Sequence, residues 1–222
     1  MGNPIEMIHE PKPEAETHAP LRMSYEEFLN WEHTGIAEWE NGEVFQMSVK
    51  REHQDVINFL NALIRLFVKL MELGFVNTAP FVMKSKPEGP GREPDLMFVS
   101  HKNATRYTSD QLIGPADLLV EVISEESVAR DRVTKFEEYE DIGVREYWLI
   151  DSRPERLRAD FYVLDDKGRY RPVPIADDNT YHSTVLPGFW INIDWLWEQD
   201  ADVLSALTQI VGVEQVIRAL KK

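Results

Sequence analysis

The stretch Leu118-Leu119-Val120-Glu121-Val122-Ile123-Ser124 constrains the fold more than any other. Consecutive rather than alternating Leu, Val and Ile mark a strand covered on both faces, the kind found where an α/β sheet runs parallel. After it, Ser127 is suited to cap a helix from about Val128 to Ile142, and Gly143 to end it. Arg145 to Asp151 then returns as a second buried strand. Strand, helix, strand in that order predicts a right-handed parallel crossover inside a mixed sheet, and so an α/β fold. Within the first strand Glu121 is a charge in apolar company, a costly position unless something compensates it.

The remaining elements follow from local signals. Ser24-Tyr25-Glu26-Glu27 has the form of a capping box and predicts a short helix to about Trp31. Asn41-Gly42 between Glu38–Glu40 and Glu43–Met47 predicts a hairpin with a type I′ turn. Apolar residues at helical spacing from His53 to Leu73 predict a long helix with a broad buried face, ended by Gly74. Phe75–Met83, Asp95–Val99, Leu157–Leu164 and Tyr170–Ile175 read as strands, and Ala201–Leu220 as one amphipathic helix. With 43% apolar content in 222 residues, one substantial core is expected. The expected organisation is an acidic, disordered leader over 1–20, a domain over 21–198 and a C-terminal helix over 199–222. Glu6, Glu10, Glu14 and Glu16 against Lys12 make the leader unlike a signal or transit peptide. The absence of Cys excludes disulfides, zinc-thiolate sites and Cys nucleophiles. No apolar run is long enough to span a membrane, so a cytoplasmic location is the expectation.

The chemistry gathers around Glu121. Glu93-Pro94-Asp95 puts a second carboxylate at a strand start, and a divalent cation is the natural compensator for two such groups. Lys135 stands four residues after Asp131 and four before Tyr139, so a helix places the three on one stripe. The plainer reading of that spacing is a surface ion pair. Topology favours the other one, because the helix follows directly on the strand bearing Glu121 and can reach back over its carboxyl end. Glu38 and Glu43 flank the hairpin turn, and either can add a third carboxylate. His53 at a helix start is a cap or a group that supports a site and positions water. Tyr147 and Trp148 belong to the core. A net charge of −15 weighs against loose binding of nucleic acid, but Lys84, Lys86, Arg92, Lys102 and Arg106 are expected to form a local basic rim.

The order of Ala37-Glu38-Trp39-Glu40-Asn41-Gly42-Glu43-Val44, His53, Arg92-Glu93-Pro94-Asp95-Leu96, Leu119 to Ser124, Asp131, Lys135, Tyr139, Gly143 to Asp151 and Leu186-Pro187-Gly188-Phe189 resembles the PD-(D/E)XK nuclease superfamily, and within it the Uma-two branch. The resemblance runs from about Met23 to Trp195. It implies a restriction-endonuclease-like mixed central β-sheet flanked by helices. It also implies divalent-metal-dependent endonuclease activity on the phosphodiester bonds of nucleic acid, with DNA the expected polymer. The metal, Mg²⁺ or Mn²⁺, is expected on Asp95 and Glu121, with the Ile123 carbonyl as a further ligand. Lys135 is expected as catalytic base or charge stabiliser, with Glu38, favoured over Glu43, and His53 in the same site. Most of the superfamily carries its Lys two positions after the second acid, where this chain has Ile123. The helix lysine is expected to replace it. A homodimer would suit an enzyme that cuts two strands. The alternative is a catalytically inactive protein of this fold that serves as an interaction or nucleic-acid-recognition module.

Overall fold

The structure, a computed structural model, describes residues 21–47, 50–124, 127–128 and 130–221; the expected leader over 1–20 lies outside them. In chain order the elements are β1 (Leu21–Arg22), α1 (Tyr25–Leu29), β2 (Ile36–Glu40), β3 (Glu43–Met47), α2 (Arg51–Leu70), β4 (Gly74–Thr78), β5 (Val82–Lys84), β6 (Gly91–Arg92), β7 (Leu96–Ser100), β8 (Gln111–Ile113), β9 (Leu118–Ile123), α3 (Lys135–Ile142), β10 (Glu146–Asp151), β11 (Arg158–Leu164), β12 (Tyr170–Val173), β13 (Thr180–His182), β14 (Trp190–Asn192), α4 (Val203–Val211) and α5 (Val213–Leu220).

The expected strand–helix–strand unit sits at the centre. A mixed sheet runs in the order β12-β11-β10-β9-β7-β4. Within it β9 and β10 pair in parallel, with Leu118 opposite Glu146 and Ile123 opposite Asp151, and α3 lies in the connection between them. Both strands are buried along their whole length, as their apolar runs require. Because side chains alternate along a strand, Val120, Val122, Trp148 and Ile150 pack with α2 on one face. Leu119, Ile123, Tyr147 and Leu149 pack with Tyr139 of α3 on the other. Glu121 falls on the α3 face, between Leu119 and Ile123.

A second sheet, β1-β3-β2-β6-β5-β8, carries the expected hairpin. Asn41 and Gly42 take φ of 51° and 85°, the positive values that a type I′ turn demands.

Three expectations need correction. The strand expected over Phe75–Met83 breaks at Ala79-Pro80, and β4 joins the central sheet while β5 joins the second one. Proline has no N–H to give to a ladder, so the break falls where pairing would have to continue. The helix expected to stop at Gly74 ends at Leu70, and Glu72 takes the left-handed turn with φ 54°. Gly74 instead opens β4, where an added Cβ would lie 2.2 Å from the Val99 carbonyl oxygen. The single C-terminal helix is two helices bent by 108°, with Gly212 between them at φ 83°. Asp202 caps the first through Leu204 N and Ser205 N, and Ala206 and Leu207 anchor it in the α2 core.

Candidate active site

Asp95 immediately precedes β7, which runs antiparallel to β9 with Leu96 opposite Val120. One step further along that register sets Asp95 opposite Glu121, so residues 26 positions apart in sequence become neighbours. Asp95 Oδ2 accepts a hydrogen bond from Val122 N at 2.7 Å and lies 3.2 Å from His53 Nε2, which α2 presents in its first turn.

The lysine arrives from the other side. Arg130–Thr134 forms a π-turn, wider than an α-turn, and α3 continues from it; such turns often occur where a helix serves a functional site. Lys135 Nζ lies 2.7 Å from Glu38 Oε1, 3.0 Å from Glu121 Oε1 and 3.2 Å from Asp131 Oδ1. One turn on, Tyr139 OH donates to Glu121 Oε1 at 2.7 Å. The stripe Asp131, Lys135, Tyr139 therefore points inward. Lys135 is 2% exposed, which removes the surface-ion-pair reading.

Glu38, on β2, ties the second sheet to this cluster. Its Oε2 also accepts from Arg92 Nη1 at 3.1 Å, and Arg92 holds Glu40 and Glu138 with its remaining donors. Burial alone would raise the Glu38 pKa, but Lys135 and Arg92 hold it below the usual carboxylate value. Glu121 goes the other way. Its burial, reinforced by the charges of Asp95, Asp131 and Glu38, pushes it to about 8 against the pull of Lys135. Burial likewise raises Asp131. Burial opposes the charge on Lys135, yet Glu121, Glu38 and Asp131 keep its pKa well above the ordinary value. His53 is raised as well, because its hydrogen bond to Asp95 and the charges of Asp95 and Asp131 outweigh its desolvation.

A cavity of about 20 Å³ is lined by His53, Glu93, Asp95, Glu121, Asp131 and Lys135 among others, enough for roughly one water or one ion. Among the described residues, Asp95 Oδ1 and Glu121 Oε2 accept no hydrogen bond. Among the same residues His53 Nδ1 is buried without a partner, and Asp131 Oδ1 is near Lys135 without hydrogen-bond alignment. Glu146 shows how this fold treats a structural acid. Equally buried, it accepts from Trp148 Nε1, Thr184 N, Thr184 Oγ1 and Val185 N. Glu121 lacks that shell: its partners among the described residues, Lys135 and Tyr139, both meet Oε1, and a carboxylate beside a small cavity with an oxygen left over suits a ligand.

Asp95, Glu121, Lys135, Glu38 and His53 are thus brought together. Ile123 is not among the residues lining the cavity; its side chain packs beside Leu119 and Tyr139. Glu43 stays outside, paired at 2.7 Å with exposed Arg22. The expected basic rim does not form. Arg92 is internal, Lys84 lies 3.6 Å over the Tyr25 ring and donates to Gly89 O, and Lys86 pairs with Asp141. Lys102 and Arg106 follow the far end of β7, a strand's length from Asp95. Sequence reasoning also missed Arg92 as the clamp on Glu38, although it stands three positions before Asp95. It missed the buried contact of His33 with Glu93 at 3.4 Å as well, for which the sequence carries no signal.

No curated protein matches the chain. A crystal structure of a "putative nuclease belonging to DUF820" from Anabaena variabilis ATCC 29413 superposes with a TM-score of 0.62 over 78% of this chain and 96% of that one, at 15% identity. At that identity the likeness shows the fold alone, a mixed α/β nuclease fold. The family model described as "Putative restriction endonuclease", Uma2, matches residues 25–194. That span takes in the whole central sheet, the second sheet except β1 and every residue of the cluster around Lys135, and the chain belongs to the Uma2 family.

Proposed function

We propose that the chain is a divalent-metal-dependent endonuclease that hydrolyses phosphodiester bonds of nucleic acid, DNA first among them. One observation carries the reading: Asp95 and Glu121 stand opposite each other on adjacent strands around an ion-sized cavity, each with an oxygen that no described residue satisfies. Among the described residues no three acidic or His side chains are already gathered at ligand spacing. Mg²⁺ does not need such a group, since it is commonly held by one or two carboxylates with water and substrate phosphate completing its shell. Asp95 and Glu121 would hold the ion. When bound, it would polarise a phosphoryl oxygen and lower the pKa of a water.

The other roles belong to the chain's own groups. Lys135, held protonated by three acids, is unsuited to act as a base and supplies positive charge beside Glu121, where a phosphate would gain charge. Glu38 and Arg92 fix the position of Lys135. His53 fixes Asp95. Isothermal titration with Mn²⁺ and nicking of supercoiled plasmid test the reading, with Asp95→Asn and Glu121→Gln expected to lose both binding and cleavage. Wild-type protein that binds no divalent ion would sink it.

The inactive-module reading is favoured by one feature: Lys135 already occupies one oxygen of Glu121 through a 3.0 Å contact. In that case divalent ions leave the melting temperature unchanged and plasmid stays supercoiled.

A further inference from the structure

The end of the chain carries an apolar stripe that its own fold leaves uncovered. On α5, Val213, Ile217 and Leu220 are 59%, 45% and 82% exposed, spaced four and three apart on one side of the helix. Val216 alone on this helix packs toward the core. The same segment is locally basic, with Glu214 against Arg218, Lys221 and Lys222, in a protein of net charge −15.

Elsewhere on the surface is a groove of the opposite charge. It has a volume of about 650 Å³ and runs between the first turns of α2 and the stretch leading into α4. Phe59, Trp195 and Trp197 give it apolar and aromatic walls, and Glu52, Asp55, Glu198 and Asp200 outnumber Arg51 around it. Its occupant has to be apolar along one side and basic along its edge.

We infer that α5 of a second copy of this chain seats in the groove, and that the exchange is reciprocal. Stripe and groove match in polarity and in sign of charge, and they lie on different parts of one surface, so a two-fold axis can satisfy both at once. Reciprocity also doubles a small contact, which brings it toward the roughly 1,200 Å² that a specific interface needs. A basic amphipathic helix also fits an anionic bilayer. The strongly acidic remainder of the molecule would be repelled by that surface and attracted to the basic end of another copy. The inference stands whether or not the site around Lys135 is catalytic.

Sedimentation velocity of the full chain from about 1 to about 100 μM tests it. The wild type should pass from monomer to dimer in this range, with a weaker dimer at high salt. Leu220→Asp removes only an exposed side chain, so circular dichroism and melting should be unchanged while the dimer weakens by about 10-fold or more. Lys221→Glu and Asp55→Lys should each weaken it, and the two together should restore much of the loss, as a direct pair requires. A chain that stays monomeric across the range overturns the inference. So does a dimer indifferent to these substitutions. Flotation with phosphatidylserine vesicles that depends on Leu220, in a chain that remains monomeric, assigns the stripe to a membrane surface instead.

Discussion

Lys135 and Glu121 are both buried and in contact, yet they differ in what each loses if the other goes. Lys135 keeps Glu38 and Asp131 when Glu121 is neutralised, whereas Glu38 alone bridges Lys135 and Arg92. Glu38→Gln should therefore cost about 3–5 kcal/mol, the usual penalty for breaking a buried pair from one side, measured as a fall in the urea midpoint in EDTA. Glu121→Gln should leave the metal-free fold as stable or more so, and the difference should depend on pH. The folded-state pKa of about 8 lies above the ordinary glutamate value of 4.5, so between those values the folded chain keeps a proton that the unfolded chain has released. Wild-type stability then falls as pH rises through that window, and the Gln variant, which does not titrate there, gains on it by on the order of 3 kcal/mol from pH 5 to pH 8. A Gln variant that instead loses ground as pH rises would show Glu121 to be ionised and paired in the fold.

At the scale of elements, what the sequence disclosed and what it hid have separate physical causes. β9, β10 and the Asn41-Gly42 hairpin were legible because continuous apolar runs and positive-φ turn residues act locally. The split of β4 from β5 and the bend at Gly212 were not, since each depends on which neighbour a segment meets; Pro80 and Gly212 were the available cues. The basic rim failed for a related reason: nothing in the sequence near Arg92 says that Glu38, Glu40 and Glu138, from a strand and a helix, will close around it. The missing lysine has a more exact account. Residue 123 shares the face of residue 121 by the two-residue period of a strand, and α3 packs on that face, so a lysine from either element arrives at one place. Lys135→Met should destabilise the metal-free chain near neutral pH by leaving the buried Glu38 carboxylate without the cation 2.7 Å from it. Adding Ile123→Lys should recover part of the urea midpoint and part of the nicking activity. If the double variant is no better than Lys135→Met on either measure, the face does not accept the charge from the strand.

Across the whole molecule, an acidic chain that acts on nucleic acid must concentrate its cations where the phosphates pass. Two arginines stand beside the cluster, on another element than the sequence suggested. Arg130 reaches Glu38 at 3.5 Å, and Arg132 lies between Asp151 and Asp160 at 3.4 and 3.3 Å. Both belong to the π-turn that carries Asp131, and Asp151 stands opposite Ile123 at the carboxyl end of the parallel strands. They are 24% and 31% exposed in their side chains, enough to exchange a weak acidic partner for a phosphate. If these arginines contact the backbone, Arg132→Ala should weaken DNA binding in Ca²⁺ uniformly across sequences and lower the slope of log affinity against log salt by about 0.9, the share of one phosphate. Arg130→Ala should do the same, with some loss of stability from its contact to Glu38. Lys102→Ala and Arg106→Ala, at the far end of β7, should leave the slope unchanged. Fluorescence anisotropy with a labelled duplex at several salt concentrations measures all four. A slope that falls for Lys102 or Arg106 and not for Arg132 would move the path of the nucleic acid to the other end of the sheet and separate it from the cluster around Lys135.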